Sequence, residues 1–244
     1  MSHTDYPMHT IPLIKLLYML LPLSIVGWAY YAWVGKKSEI ALATLRMSVQ
    51  LLIIGYVLTS LFTTNSMLLL SLLVVVMVVS ASFIVRRNIR HKDWRTYVVI
   101  LGAITFAGSI NLAWVLWLVL DLDNPLEPRF VIPLAGMIYA NAMNVISLCA
   151  ERYEKEQEHG QSHEKARAVA FKASMMPQIN SFLAVGFVSL PGMMTGQILS
   201  GIDPLIAVRY QIVVMAMILS SGAMSNMVYL LTLNSRFLAK MTQK

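Results

Sequence analysis

The sequence has few charged residues, a single cysteine and no recognisable catalytic motif. Only 13% of its 244 residues are charged, whereas soluble domains carry about 25%. Cys149 is the only cysteine, so an intrachain disulfide and a cysteine-rich metal site are both excluded. The five histidines lie outside the long apolar runs. The run Gly35-Lys36-Lys37 lacks the Ser/Thr and the upstream glycine of a phosphate-binding loop. We therefore expect neither an enzyme nor a cofactor.

The abundant apolar residues define the class of protein. They make up 57% of the chain, and the mean hydropathy is +0.66. Several runs reach the roughly 20 residues that a helix needs to cross a bilayer. The sequence therefore predicts an all-α, multi-pass membrane protein, surrounded by lipid, with 1–244 as a single domain. The predicted spans are 11–34, 45–62, 66–85, 96–120, 130–150, 178–200 and 205–235.

Two local features support the division into seven spans. Asn65 and Ser66 interrupt an apolar stretch that would otherwise run for about 40 residues, too long for one span at about 1.5 Å per residue. The first run, 11–34, has no preceding basic region and exceeds the apolar core of a signal peptide. We therefore expect it to be retained as a span.

The positions of the basic residues predict the orientation. Seven spans place 16 of the 19 lysines and arginines on one side and leave only Lys15, Arg129 and Arg209 for the other. Basic residues that flank spans remain in the cytoplasm. This predicts an outside N-terminus and a cytoplasmic C-terminus, in a plasma membrane that would be the bacterial inner membrane. Because the basic residues are placed as membrane topology requires, we expect no nucleic-acid partner.

One hydrophilic segment, 151–176, lies on the predicted cytoplasmic side. Its charged first part extends span five and stops at Gly160, and Ser162 is a suitable cap for a second helix with Glu164 in its first turn. A face of small residues follows at helical spacing, and Pro177 marks the expected start of span six. The face consists of Ala166, Val169, Ala170 and Ala173. The spacing fits either a helix resting on lipid headgroups or one that docks a cytoplasmic partner.

Uncharged polar residues dominate the few polar positions inside the spans. Asn141 and Asn144 are three residues apart, so they share one face of span five. Such amides either join helices through hydrogen bonds or face a substrate. Other amides in the spans are Asn111, Gln197, Gln211 and Asn226.

Span six contains Ser-Leu-Pro-Gly-Met-Met-Thr-Gly at 189–196. Pro191 is expected to kink or break the helix, and Gly192 and Gly196 have the G-x-x-x-G spacing of closely packed helices. A broken helix near the bilayer centre is one way to build a transport site. Met193 fits either soft-metal ligation or apolar packing. Asp203, before Pro204, fits a helix N-cap.

Several sequence motifs, taken together, point to a known family. Pro-Leu-Ala-Gly-Met…Asn-Ala-Met (133–143), Ser-Leu-Pro-Gly-Met-Met-Thr-Gly (189–196), Gly-Ile-Asp-Pro (201–204) and Ala-Val-Arg-Tyr-Gln (207–211) resemble the FetB family of ABC transporter permeases. Bacterial members of that family are described as iron exporters, and plant relatives are linked to aluminium tolerance and UDP-glucose transport. The resemblance covers nearly the whole chain.

The resemblance implies a homodimeric permease that pairs with a separate ABC-type ATPase and exports iron or another metal ion. It favours docking for the helix at 164–176, with Glu164, Arg167, Ala170, Phe171 and Ala173 as the ATPase-coupling residues. The expected substrate pathway comprises Asn141, Asn144, Pro191, Gly192, Met193, Gly196 and Asp203. The metal ligands are unknown, since the spans contain neither histidine nor paired carboxylates.

Three alternatives remain open from the sequence. A UDP-sugar or other small-solute exporter would use the same architecture, but a diphosphate needs basic groups that the spans do not supply. A seven-helix receptor is a different class, and the absence of lysine between Asp203 and Arg236 excludes a retinal Schiff base there. A membrane scaffold that only anchors a partner is the third.

Overall fold

The structure is a computed structural model that describes residues 11–36, 38–64, 66–89 and 93–241, with the side chains of Leu13 and 234–241 left out. The described residues are 86% helical and contain no strand. The predicted all-α class is therefore confirmed. The chain divides into two compact units, Met1–Asn65 and Ser66–Lys244, and the assignment of 1–244 to a single domain stays a prediction.

The first unit contains two long helical segments. The first segment begins with a short helix and a 3₁₀ turn and ends at Gly35, whose left-handed φ of +78° lets its N–H bond to the carbonyl of Tyr31. A glycine suits this position because it has no Cβ to strain the left-handed conformation. The elements are α1 (Leu13–Leu16), the 3₁₀ turn (Leu17–Met19), α2 (Leu20–Val34) and α3 (Glu39–Thr64).

The second unit is a helical bundle built around one central helix. Its elements are α4 (Met67–Asn88), α5 (Trp94–Trp114, continued by a π-helical turn at Val115–Val119), α6 (Pro128–Glu158), α7 (His163–Ala184), α8 (Gly192–Leu199) and α9 (Pro204–Met241). The central helix is α6, which packs against α4, α5, α7 and α9. Small residues permit this close packing: a Cβ at Gly108 of α5 would overlap the Tyr139 ring of α6.

Six helices in the described ranges are long and apolar enough to cross a membrane. Six of the seven predicted spans fall on them, and the interruption expected at Asn65–Ser66 lies between the end of α3 and the start of α4. Ser66 caps α4 by accepting the N–H of Leu69. The six helices are Ile14–Val34, Glu39–Thr64, Met67–Asn88, Trp94–Val119, Pro128–Glu158 and Pro204–Leu233.

The remaining predicted span, 178–200, is not one continuous helix. Its first part is the end of α7, and its last part is the eight-residue helix α8. The count of seven spans and the orientation of the termini therefore stay predictions.

The boundary expected at Pro177 is wrong, because α7 runs through it. Proline leaves the carbonyl four residues back without its helical bond, but a helix that packs along a neighbour tolerates this loss.

Candidate functional site

The second unit contains a break between α7 and α8. We call residues 185–191 the break. Gly186, at φ +90°, turns the chain, and Val188 donates its N–H to the carbonyl of Ala184 at 2.8 Å. Pro191 has extended backbone angles and occupies the N-cap position of α8. The interruption expected at this proline is therefore observed, and it takes the form of a compact turn rather than a kink.

The two glycines of α8 do not form the close helix contact that their spacing indicated. A Cβ added to Gly192 or Gly196 would meet no atom within 4 Å. Both positions are exposed. The expected close helix approach through this G-x-x-x-G pattern is therefore wrong for the described residues, where Gly108 and Gly222 mark the close approaches instead.

A cavity of about 320 Å³ lies on one side of α8, and we call it the α8 cavity. Met193 and Gln197 line it from α8, and Arg129 and Tyr210 line it from the first turns of α6 and α9. The Gln197 Oε1 atom is buried without a hydrogen-bond partner. The other lining residues are Val115, Leu120, Phe130, Pro133, Leu134, Ile202, Ile206, Val213 and Val214.

A second concavity of about 340 Å³, which we call the α8 groove, lies between the break, α8 and α9. Pro191 and Met194 line it from the start of α8, and Gln211 and Met215 line it from α9. Gln211 is only 5% exposed, and its Oε1 atom also lacks a hydrogen-bond partner. The predicted pathway residues Pro191 and Met193 therefore border two different concavities.

Sequence reasoning missed Arg129 and Tyr210 as cavity residues. It placed Arg129 in an outer loop, and it considered Tyr210 only as part of the Ala-Val-Arg-Tyr-Gln motif that carries the family resemblance. The available signal was spacing: Ile206, Tyr210 and Val214 recur at i, i+4 and i+8, so they share one face of α9, the face that lines the α8 cavity.

Asn141 joins two helices. Its amide donates to the backbone carbonyl of Ile218 on α9 at 2.8 Å. Gly222 makes the contact possible, since a Cβ there would lie 2.7 Å from the Asn141 Nδ2. Of the two roles that the sequence left open for this amide, the one observed is a hydrogen bond between helices.

A second hydrogen bond from an amide side chain joins α9 to α7. Asn226, which is fully buried, donates to the Ser174 hydroxyl at 2.7 Å. Asn111 of α5 lies 3.2 Å from the Met224 sulfur and donates to its own helix at Ala107. Amide side chains therefore connect α9 to three neighbouring helices.

Asn144 is different from these amides. It is exposed on the surface of α6, seven residues before Glu151, which corresponds to about 10 Å of helix. The exposed positions Pro133, Ala140 and Leu148 lie along the same side of α6. An amide that faces hydrocarbon without a partner is costly, so Asn144 is a candidate for a polar contact with another molecule.

Asp203 caps α9, as its position before Pro204 indicated. Its Oδ1 accepts the N–H of Leu205 at 2.8 Å and that of Ile206 at 3.4 Å. Among the described residues, no group of three or more His, Cys, Asp or Glu side chains is placed to hold a metal ion.

At the other end of the bundle, α6 and α7 form a tightly stabilised hairpin. Gly160 turns the chain at φ +73°, and the Ser162 hydroxyl accepts the N–H of Lys165, as predicted for a cap. Two i,i+4 ion pairs lie in the last turns of α6, Arg152–Glu156 at 2.6 Å and Lys155–Glu151 at 2.7 Å. Three of the four side chains are about half exposed, and pairs of this kind stabilise a helix by about 0.3–0.5 kcal/mol each.

A side-chain contact closes this hairpin. The Tyr153 hydroxyl lies 2.6 Å from the His163 Nδ1, and the rings meet edge to face. Partial burial and the nearby Arg167 guanidinium lower the pKa of His163, and Glu164 acts in the opposite direction. Burial and the Arg167 charge therefore favour the neutral imidazole.

Part of the small-residue face of α7 is packed inward. Ala166 and Ala170 are fully buried, because alanines let α7 lie close against α6 and α9. These two residues are therefore not available to a partner in this conformation, whereas Val169 is 37% exposed and Ala173 is half-buried. The exposed side of the same turns carries Glu164, Lys165, Ala168 and Lys172.

A wide concavity of about 560 Å³ runs beside that exposed side, and we call it the α7–α9 groove. Arg167 and Lys172 give it basic edges, and Phe171 and Met227 give it an apolar floor. Ala168, Leu230 and Leu231 complete its lining. Two of the predicted coupling residues, Arg167 and Phe171, thus lie on an accessible surface.

These features define a multi-pass, all-α membrane protein whose predicted sixth span is interrupted beside two concavities. The family description "Uncharacterised protein family (UPF0014)" matches residues 13–238. The chain belongs to this family of membrane proteins.

Named relatives agree with this assignment. The "Probable iron export permease protein FetB" of Escherichia coli is 34% identical over 200 residues, which cover 75% of each chain. The "UPF0014 membrane protein YjkA" of Bacillus subtilis is 34% identical over 211 residues, or 78% of this chain and 81% of that protein. The "Protein ALUMINUM SENSITIVE 3" of Arabidopsis thaliana is 29% identical over 213 residues, or 81% and 77%. No solved structure matches the chain.

Proposed function

We propose that this chain is the membrane permease subunit of an ABC transporter that exports a metal ion, with iron as the first candidate. The observation that carries the proposal is the break between α7 and α8, with two buried glutamine oxygens unpaired beside it. Interrupted helices with unpaired polar groups are a recurrent way to build transport sites in membranes. The Escherichia coli relative named a probable iron export permease supports the substrate.

The α8 cavity is the proposed substrate pathway. Met193, Gln197 and Tyr210 line this cavity with a thioether, an amide and a phenol. Arg129 also lines it, and its guanidinium lies 3.8 Å from the Glu127 carboxylate.

The proposed energy source is a separate ABC-type ATPase that docks on the α7–α9 groove. The basic edges and the Phe171 floor offer charge complementarity and an apolar anchor to such a partner. Because α7 is continuous from His163 to Ala184, a push at its first turns is transmitted along a rigid helix to the break. Docking at one end of α7 would thus act on the pathway at the other end.

A homodimer is part of the proposal, and the exposed face of α6 is its candidate interface. An amide is both a donor and an acceptor, so Asn144 is able to pair with the same residue of a second copy across a two-fold axis. Pairing would satisfy a polar group that otherwise faces lipid.

The first test of the proposal is co-purification of the tagged chain from its native membranes, followed by mass spectrometry. We expect an ABC-type ATPase with the native chain and its loss with Lys172→Glu, which reverses one basic edge of the groove. Lys165→Glu is the matched control, because Lys165 is exposed on α7 but does not line the groove. Absence of any ATPase in several mild detergents would overturn the proposal.

The substrate requires its own measurement. Inverted membrane vesicles containing the chain and the captured ATPase are expected to accumulate radioactive iron in an ATP-dependent way. Gln197→Leu should lower the rate at unchanged protein level, because it removes the unpaired oxygen of the cavity. ATP-driven accumulation of a UDP-sugar instead of the metal would assign the other substrate class.

A further inference from the structure

The two halves of α7 differ in how closely they are packed. The buried residues of this helix all precede Pro177, and they are Ala166, Ala170, Ser174 and Met175. The nine residues that follow, 176–184, are all half-buried or exposed, and we call them the arm. Leu183, for example, is 75% exposed. The packing that lets α7 continue through Pro177 therefore ends at Met175.

The turn that joins the two halves is weakened twice. Pro177 has no N–H, so the carbonyl of Ala173 receives no helical bond from it. The Ser174 hydroxyl donates to the carbonyl of Phe171 at 3.0 Å, and back-bonding of this kind bends helices. Because both features lie within 171–177, a bend of α7 is easiest in this turn. We call these residues the hinge.

A hydrogen bond from α9 holds the packed side of the hinge. The Asn226 amide donates to the Ser174 hydroxyl at 2.7 Å, and both side chains are buried. Ser174 is therefore tied to α9 three residues before Pro177. A bend at the hinge moves the arm and leaves the first half of α7 in place.

The α8 groove gives the arm room to move. Phe182, near the end of the arm, lines this space of about 340 Å³, and Ile212, Met215 and Ala216 line it from α9. An arm of nine residues is about 13 Å long. A bend of about 20° at its base therefore carries its end through about 5 Å. In the direction of α9, this displacement closes the groove.

The surfaces that would meet are suited to packing against each other. Apart from Gln211, the residues that line the groove have no polar side chain. Gln211 itself is 5% exposed, so its amide contributes little to the surface of the wall. Ala216 is small, and Met194 and Met215 are flexible enough to fill irregular gaps. Closure therefore buries no charge.

We propose that the arm is a strap that swings about the hinge and closes the α8 groove by laying Phe182 against Met215 and Ala216. The break takes up the displacement, since it follows the arm directly and α8 itself packs on α9. A push along the axis of α7 still reaches the break through the hinge, whereas a sideways displacement opens or closes the groove. This motion does not depend on the substrate or the ATPase of the proposed function.

The test is the rate of disulfide formation between Phe182→Cys and Met215→Cys in native membranes, with copper phenanthroline as the oxidant. Closure brings these two thiols together, so we expect the pair to cross-link in the otherwise native chain. Pro177→Ala restores the helical bond to Ala173 and stiffens the hinge. We expect it to slow cross-linking about tenfold, which is the effect of roughly one helical hydrogen bond.

A second cysteine pair separates motion at the hinge from a general change of structure. Ala168→Cys and Leu231→Cys line the α7–α9 groove beside the packed half of α7, and Pro177→Ala should leave their cross-linking rate unchanged.

A second proline is the matched control. Pro133→Ala removes a proline from inside α6 instead and should leave the Phe182–Met215 rate unchanged. Three results would overturn the proposal: no cross-link between residues 182 and 215 in the native background, equal rates with and without Pro177→Ala, or equal slowing of both cysteine pairs.

Discussion

The two ends of α7 differ in how completely their polar groups are satisfied. At its start, a serine cap, two ion pairs in the preceding turns and a tyrosine–histidine contact hold the hairpin together. At its end, the chain breaks, α8 starts without a side-chain cap, and two glutamine oxygens remain unpaired. Satisfied groups fix a structure. Under the proposed function, the start of α7 is scaffold and the break at its end is the site.

The largest effect is expected when a charge is placed in the packed first half of α7. Ala170→Glu puts a carboxylate where α7 packs most closely, and an unpaired buried charge costs several kcal/mol. We expect little or no monodisperse protein on size exclusion. Ala168→Glu, on the exposed side of the same helix, should purify normally. Equal yields of the two variants would show that α7 does not pack as described.

A smaller change tests the close approach of α6 and α9. Gly222→Ala forces a Cβ to within 2.7 Å of the Asn141 amide, so Asn141 must leave the Ile218 carbonyl. We expect a loss of about 1–3 kcal/mol, measured by denaturant titration in mixed micelles. Gly196→Ala is the control, since its Cβ meets no neighbour within 4 Å. If Gly196→Ala is the more damaging of the two, α8 is packed more tightly than the structure indicates.

The cap of α7 should contribute less. Ser162→Ala removes the hydroxyl that accepts the Lys165 N–H, and loss of such a cap costs about 1 kcal/mol. The same titration measures it. Ser189→Ala, within the break, removes a hydroxyl that caps no helix and should change stability by less than half that amount.

The smallest expected effect depends on pH. The pKa of His163 is lowered mainly by burial, with help from Arg167, so folding favours the neutral ring. This contribution is complete above the unfolded pKa of about 6.5 and is lost as the pH falls through the lower folded pKa. We expect native stability to decline over that acidic window and His163→Gln to flatten the decline. A decline of equal size in the variant would assign it to other groups.

A further prediction tests whether the exposed face of α6, which carries Asn144, is the proposed dimer interface. Asn144→Cys is expected to form a disulfide-linked dimer in membranes after mild oxidation, because the proposed two-fold contact brings the two copies of residue 144 together. Phe106→Cys, exposed on α5, should stay monomeric under the same conditions. A dimer through residue 106 alone would move the interface to α5.

Sequence patterns predicted the helices well because length and apolarity are local properties. The Ser162 cap, the turn at Gly160 and the Asp203 cap of α9 all depend on a few consecutive residues, and all are present. Pro177 misled, because a helix packed along α6 tolerates a proline that would end an isolated helix.

The site was less predictable because it depends on which helices meet. The alanine face of α7 fits an exposed ridge and a buried one equally well, and only its neighbours decide between them. Likewise, the spacing of Gly192 and Gly196 is that of a tight contact, yet a Cβ at either glycine would lie more than 4 Å from every described neighbour. Asn141 and Asn144 share a spacing but not an environment: one bonds to α9 and the other is exposed. Arg129 and Tyr210 become neighbours only through the fold.

The burial of Cys149 has a practical consequence. It is the only thiol in the sequence, and it is fully enclosed in the bundle, so a membrane-impermeant maleimide should not react with the native chain. The protein thus offers a silent background for site-directed labelling. A reporter cysteine at Lys36 or at Leu126, both exposed, would react from one face of a sealed vesicle only, and the pair of results would establish which loops face the cytoplasm.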